Sequence, residues 1–286
     1  MSGVVFAREE EPDPVEVSEP QATFVILDEA SDEVGASTYE VVDNRTTVPL
    51  YVDEVQQGLC SLVDGVPYVS VADFCQALGL EVQQSLSGDT LTLQTEGVSL
   101  SATAGQIYFV CNGRYLYVET GVLSQEGDIL LPVEALVKCL GVSVSWDQIT
   151  WRIVVTAGDI SPLESGDTFY DETDVYWLSR VIYAEAGNQP LLGQIAVGDV
   201  VMNRMKDPAF ASQDSVYDVI FAKNQFEVVI NGMIYMTPDE QSQVAAKIAL
   251  EGVDVVSGAT YFATYELGAG YECVTWIGEH CFMTAA

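Results

Sequence analysis

Glu185 is the acid whose setting in the chain is least like that of an ordinary surface carboxylate. Leu178, Val181 and Ile182 lie seven, four and three residues before it, so in a helix they share its face. The helix runs from Asp174 to Ala186, with acids in its first turn and Gly187 at its end. Glu185 therefore closes an apolar stripe and sits in the last turn, where the helix dipole disfavours a negative charge. Desolvation and dipole both raise a carboxyl pKa. A carboxylic acid kept protonated near neutral pH suits a reaction whose leaving oxygen must be protonated as the bond breaks, as in glycoside cleavage. The plainer reading is a carboxylate paired with Arg180 or Arg204, and spacing alone does not choose between the two.

Other residue types remove whole mechanisms. His280 is the single histidine, so no zinc site with two or three histidines can be assembled. Any serine triad or cysteine–histidine pair would have to use His280 itself, and an isolated histidine is more often structural than catalytic. His280 and Cys281 are adjacent and would point to opposite faces of a strand, against a cysteine peptidase. No Cys-x-x-Cys occurs, and no metal or other cofactor is expected. The six cysteines divide into Cys60, Cys75, Cys111 and Cys139, and then Cys273 and Cys281. If a disulfide forms in the C-terminal part, it joins Cys273 to Cys281, eight residues apart.

These groups need elements to hold them. The chain has 286 residues, a length that suggests two domains. It carries 43 acids against 10 bases, a formal charge of −33, spread along its whole length. Mean hydropathy is nevertheless +0.21 with 49% hydrophobic residues, so apolar side chains suffice for more than one core. The acidity argues against nucleic acid and anionic membrane as partners, since both require a basic footprint. No apolar run is long enough for a membrane-crossing helix. Val5-Phe6-Ala7 could be the remnant of a signal cleavage site.

Residues 1–45 are rich in Glu, Asp, Pro and Ser and read as a solvated tail or spacer, with Thr23 to Leu27 a possible strand. Residues 46–156 read as β with helical insertions. Asp64-Gly65 and Asn112-Gly113 mark hairpins, because both dipeptides suit type I′ turns. Ser70 with Asp73 caps a helix that stops before Gly79. Strands follow at Leu80–Gln84 and Thr90–Gln94. A second copy is expected in Ile129–Pro132, a helix over Val133–Leu140 closed by Gly141, then Val142–Trp146 and Thr150–Thr156. The aligned stretches Ala77-Leu78-Gly79-Leu80-Glu81-Val82 and Cys139-Leu140-Gly141-Val142-Ser143-Val144 indicate an internal repeat. Residues 157–170 are polar and read as a linker. Residues 171–286 read as mostly helical: Pro190 opens a helix to about Lys206, Gln213–Ala222 forms a short one, and Thr237-Pro238-Asp239-Glu240 starts another to Leu250. Ala259–Ala263 and Cys281–Met283 are expected as short strands. The fold class is α+β.

Residues 50–156, through Pro67-Tyr68-Val69…Leu78-Gly79-Leu80 and Leu131-Pro132-Val133…Leu140-Gly141-Val142, resemble the copper amine oxidase N-terminal-like or stalk domains, accessory modules of exported Gram-positive proteins. With no histidine there, nothing is expected to bind copper.

A second resemblance spans nearly all of residues 174–283. Leu178-Ser179-Arg180-Val181-Ile182-Tyr183-Ala184-Glu185-Ala186, Gly193-Gln194-Ile195-Ala196-Val197 and Val200-Val201-Met202-Asn203-Arg204 resemble the SleB-like spore cortex-lytic cell-wall hydrolases. So do Gln225-Phe226, Asn231-Gly232, Thr237-Pro238, Gly258-Ala259-Thr260-Tyr261-Phe262 and Ile277-Gly278-Glu279-His280-Cys281-Phe282. The resemblance implies a lysozyme-like, mostly helical domain that acts on peptidoglycan glycan strands as a lytic transglycosylase. The Glu of its Tyr-Ala-Glu-Ala motif, Glu185 here, would be the single catalytic acid and base. It implies a secreted, cell-wall-associated protein of Gram-positive type. Gln225 and Phe226 could line the sugar cleft as amide donor and stacking surface, with a structural loop as the alternative. Tyr261 and Tyr235 are candidate sugar platforms, though aromatic residues at such positions more often serve a core. Glu227 could be a second carboxylate but reads as solvated. Competing readings are a muramidase, an N-acetylmuramoyl-L-alanine amidase, and a non-catalytic wall-binding protein.

Overall fold

The computed structural model describes residues 46–147, 150–156 and 158–286. The expected tail over residues 1–45, with Thr23–Leu27, lies outside the described residues.

The β-rich part opens with β1 (Thr47–Val52), β2 (Val55–Val63) and β3 (Val66–Ser70). Between β2 and β3, Asp64 and Gly65 take φ of 50° and 78°, the two positive values that a type I′ turn needs. The Ser70 hydroxyl accepts from the Asp73 N–H and caps α1 (Val71–Ala77). Gly79 then turns the chain back with φ 75°, and the Leu80 N–H donates to the Cys75 carbonyl at 3.0 Å. That bond keeps Leu80 at the helix end, so β4 is Gln83–Ser87 rather than the expected Leu80–Gln84. β5 (Thr90–Thr95), β6 (Val98–Thr103), β7 (Tyr108–Cys111) and β8 (Arg114–Tyr117) follow β4 in one five-stranded antiparallel sheet, in chain order. Asn112 and Gly113, with φ of 51° and 79°, turn β7 into β8.

β9 (Leu123–Gln125) and β10 (Asp128–Pro132) lead into α2 (Val133–Leu140), β11 (Ser143–Asp147) and β12 (Arg152–Thr156). The second sheet runs β11-β12-β1-β2-β3-β10-β9, antiparallel except for the parallel pair β1–β12. The two copies are β3-α1-β4-β5 and β10-α2-β11-β12. Their first strands pair with each other, while their hairpins belong to different sheets. Tyr68, Phe74, Leu93, Phe109, Leu131, Leu136, Leu140 and Ile153 fill the core between them.

The stretch expected as a linker is fastened down. The Ser161 and Leu163 N–H groups donate to the Leu140 and Cys139 carbonyls, and the Asn112 side-chain amide donates to the Leu163 carbonyl. A Cβ on Gly141 would stand 1.9 Å from the Ser161 carbonyl oxygen, so only glycine permits this approach. The short α3 (Gly166–Phe169) starts where the Gly166 N–H meets the Asn112 carbonyl at 2.8 Å.

The helical part comprises α4 (Glu172–Ala186), α5 (Leu191–Lys206), a 3₁₀ turn at Pro208–Phe210, α6 (Val216–Phe221), α7 (Glu227–Ile230), a 3₁₀ turn at Met233–Tyr235 and α8 (Glu240–Leu250). Asp171, Ser215 and Asp239 cap α4, α6 and α8 with their side-chain oxygens. Pro190 stands at the cap of α5 rather than inside its first turn. α4, α5 and α8 bury Leu178, Val181, Ile182, Ile195, Val200, Ala245, Ile248 and Ala249 in a second core. Gly198 brings α5 against α8, since a Cβ there would lie 2.8 Å from that of Ala249. β13 (Tyr261–Ala263), β14 (Tyr271–Ile277) and β15 (His280–Ala285) form a small sheet with β15 central. Cys273 and Cys281 form the expected disulfide across β14 and β15, with Cα atoms 6.2 Å apart. Cys60, Cys75, Cys111 and Cys139 are buried free thiols.

The five-stranded sheet meets the helices directly. Tyr108, Tyr115 and Tyr117 pack against the helical core. Arg114 donates from Nε and Nη2 to the two oxygens of Glu251, at 2.8 and 2.6 Å, and its guanidinium lies 3.3 Å from the Phe169 ring centre. The Tyr170 hydroxyl donates to Glu251 at 2.7 Å and accepts from the Tyr115 N–H at 2.9 Å. The whole is an α+β protein, as expected: a β-rich part followed by a helical one.

Candidate active site

α4 carries its apolar stripe inward. Leu178, Val181 and Ile182 are fully buried, and Glu185 continues that face one turn later, half-buried. Burial pushes the Glu185 carboxyl from its ordinary 4.5 up to about 7, the charge of Glu227 adds to the rise, and Arg204 opposes it. Glu227 is exposed at the first position of α7.

Neither arginine considered as a partner is ion-paired with Glu185 among the described residues. Arg180 lies over the Tyr176 ring at 3.7 Å and donates to the Tyr176 carbonyl. Arg204 is buried in the last turn of α5 and donates from Nε to the Thr260 carbonyl at 2.7 Å. The rings of Phe226, Phe210 and Tyr261 surround its guanidinium at 5.0, 5.4 and 5.6 Å. Its Nη1 is buried without a hydrogen-bond partner among the described residues. Burial lowers the Arg204 pKa to about 10, so it remains a cation that acts on Glu185 through space. A half-buried carboxyl near 7, free of an ion pair, can both give and take a proton at neutral pH.

The other expected residues divide. Tyr261, half-buried, stands edge-on to Tyr271 at 4.9 Å and belongs with Arg204. Gln225 sits half-buried in the loop before α7. Phe226 is only 4% exposed, with Arg204 over its ring and Phe262 beside it, so it cannot offer a stacking face to a sugar. It supports the site from below, because its ring is drawn into the core along with Val228. Tyr235 is 65% exposed and lies beside Trp177, near the opposite end of α4 from Glu185. His280 is buried among Phe262 and Phe282, and burial lowers its pKa, so it is a neutral packing residue. Among the described residues no group of three or more His, Cys, Asp or Glu side chains could hold a metal ion.

Sequence reasoning missed Gln189, four residues after Glu185. Its side chain donates to Glu279 at 3.0 Å and accepts from the Glu279 N–H at 2.9 Å, while its carbonyl accepts from Gln194 and Gln241. Gln194 in turn accepts from the Ser242 hydroxyl. This buried amide network ties the end of α4 to α5, α8 and the β14–β15 turn. Gly278 permits this approach, since a Cβ there would fall 2.2 Å from the Gln189 side-chain oxygen.

Residues 188–283 match the Cell Wall Hydrolase family. The C-terminal third of the chain is a cell wall hydrolase domain. The match opens three residues beyond Glu185. Residues 52–155 match the Copper amine oxidase N-terminal domain, and that stretch contains no histidine. Relatives of the hydrolase domain include the spore cortex-lytic enzyme of Halalkalibacterium halodurans, 42% identical over 93 residues, which are 32% of this chain and 28% of that one. The spore cortex-lytic enzyme of Bacillus subtilis is 34% identical over 118 residues, 40% of this chain and 38% of that one. The crystallised catalytic domain of the Bacillus cereus SleB protein aligns at 30% identity with a TM-score of 0.37, over 40% of this chain and 92% of that domain. The chain thus spans about a third of the length of the curated relatives it matches. No helix among the described residues is long and apolar enough to cross a membrane.

Proposed function

We propose that the chain cleaves the glycan strands of peptidoglycan between N-acetylmuramic acid and N-acetylglucosamine, as a lytic transglycosylase acting outside the cell. The observation that carries this reading is the Glu185 carboxyl, reachable from solvent and raised to about 7 with no ion-pair partner among the described residues. Protonated Glu185 gives its proton to the glycosidic oxygen as the bond to the muramyl C1 breaks. The resulting carboxylate takes the proton of the muramyl 6-hydroxyl, whose oxygen bonds to C1. One carboxyl serves both steps, no water is consumed, and Glu185 ends as it began. Arg204 steadies the carboxylate formed between the two steps, and Gln189 holds the helix end that carries it.

A second reading is a muramidase, in which Glu227 activates water. It is favoured by one observation, that the Glu227 charge reaches Glu185. Mass spectrometry of fragments released from purified peptidoglycan separates the readings. A transglycosylase leaves 1,6-anhydromuramyl ends, one water lighter than the reducing ends of a muramidase. Glu185→Gln should lose about 10²–10⁴-fold in rate. New amino groups on stem peptides with an intact glycan would refute both and point to an amidase, and an active Glu185→Gln protein would refute the assignment of Glu185.

A further inference from the structure

A group of aromatic rings at the N-terminal end of α4 has no part in the chemistry described above. Trp177 meets Tyr176 at 4.9 Å, Tyr217 at 5.7 Å, Phe221 at 4.9 Å and Tyr235 at 6.3 Å between ring centres, each tilted edge-on. Tyr217 stacks on Phe221 at 4.3 Å. The rings come from three separate elements: α4, α6 and the 3₁₀ turn at Met233–Tyr235. Rings that serve only packing are covered, as Phe282 and Phe226 are. Tyr176 and Tyr217 are each 46% exposed, and Tyr235 more so, which leaves a clustered aromatic face open to water.

This face shares α4 with the candidate active site. Trp177 and Glu185 stand on one row of α4, with the fully buried Val181 between them. Eight residues at ~1.5 Å each set the cluster about 12 Å from Glu185. A second strip of chain runs beside the same helix: α7 starts at Glu227, whose charge reaches Glu185, and the turn that follows it ends at Tyr235 against Trp177. Ile230 and Met233, 74% and 40% exposed, lie along this strip, so the open surface from Glu227 to Tyr235 runs beside α4.

We propose that Trp177, Tyr217 and Tyr235 form a remote subsite that holds sugar rings of the same glycan strand, beyond the bond being cleaved. The proposal rests on the peptidoglycan reading above. A pyranose presents a face of C–H groups that stacks on an aromatic ring, and its edge hydroxyls suit tyrosine hydroxyls. Charge also selects this occupant. With 43 acids against 10 bases, the chain has little cationic surface with which to grip an anionic wall, whereas stacking on a sugar face needs none.

The test uses the full chain with Tyr217→Ala and Tyr235→Ala, and with Phe at each position as the conservative variant. KM and kcat are measured on a muramyl tetrasaccharide and on long soluble glycan strands, with thermal unfolding as the check on folding. Affinity of the Glu185→Gln protein for both glycans is read alongside from tryptophan fluorescence. The ratio of KM on long strands to KM on the tetrasaccharide should be below one for the unaltered protein and rise about 3- to 10-fold in each Ala variant with kcat on long strands retained, and the Phe variants should keep most of the preference. Equal losses on both lengths, or no loss on either, would overturn the subsite. So would a concentration-dependent dimer abolished by the Ala variants, which would assign the face to a second copy of the chain. Failure of the peptidoglycan reading is distinct: the unaltered protein then cleaves no glycan, and the length dependence of binding by Glu185→Gln decides the subsite alone.

Discussion

Ionising Glu185 works against the fold, and the size of that opposition can be measured. Its carboxyl titrates at about 7 in the folded protein against an ordinary 4.5, with burial the leading cause. Because the folded value is the higher one, the protonated group favours the native state. That contribution is complete below the unfolded value and is lost as pH rises through about 7. At about 1.4 kcal/mol for each pH unit between the two values, the full swing is about 3 kcal/mol, and residual access to water brings it to about 2 kcal/mol. Glutamine keeps the shape and cannot ionise. Near pH 4 the Glu185→Gln variant and the unaltered protein should therefore differ little from their intrinsic offset. By pH 8.5 the variant should have gained about 2 kcal/mol, or about 4–8 °C in unfolding midpoint for a chain of this size. Asp199, raised to about 8 by burial, titrates in both proteins and cancels in the difference. Thermal unfolding of the pair from pH 4 to pH 9 reads the gap directly. A gap that stays constant with pH, or widens toward acid, would refute the buried-carboxyl argument even if the variant were inactive.

On the same physics, glycan cleavage should fall as pH rises through about 7, and Glu227→Gln should move that falling limb to lower pH by removing a like charge; an unmoved limb in steady-state rates would show that Glu227 does not act on Glu185. Arg114→Ala leaves the nearly buried Glu251 carboxylate with the Tyr170 hydroxyl and a Lys138 amine 3.8 Å away, and should cost about 3 kcal/mol in denaturant unfolding. The double variant Arg114→Met/Glu251→Met should recover much of that loss, and a double-mutant cycle with no coupling would refute the junction. Gly141→Ala should lower stability by more than about 2 kcal/mol, because it adds both a left-handed residue and a collision with Ser161. Faster hydrogen exchange at the Ser161 and Leu163 amides would report the segment coming loose.

Features that depend on near neighbours in the chain were legible in the sequence. The Asp64-Gly65 and Asn112-Gly113 turns, the Ser70 cap and the burial of Glu185 each follow from residues within one or two turns of one another. The disulfide was legible as well, since Cys273 and Cys281 leave no other pairing in their part of the chain. What escaped depends on distant partners. Arg114 and Glu251 are 137 residues apart, and neither carries a local mark of the other. The segment after Gly158 looks like a linker by composition, yet its backbone groups find carbonyls at the end of α2. β14 escaped because most of its side chains face solvent and show no apolar alternation. Phe226 was misjudged because a loop position says nothing about which way a ring turns, and here Arg204 and Phe262 settle it.

The junction between the five-stranded sheet and α8 also imposes an order in time. A chain made from its N-terminus completes β8 long before Glu251 exists. At about 5–20 residues per second, the 137 residues between Arg114 and Glu251 take about 7–27 s to emerge. Through that interval Tyr108, Tyr115 and Tyr117 must wait as an uncovered face on an otherwise finished sheet, with Arg114 lacking its counter-charge. The sheet then serves as a ready template onto which the last long helix docks. A ribosome paused before residue 251 should hold a nascent chain whose first two sheets are formed and whose helices lack one wall.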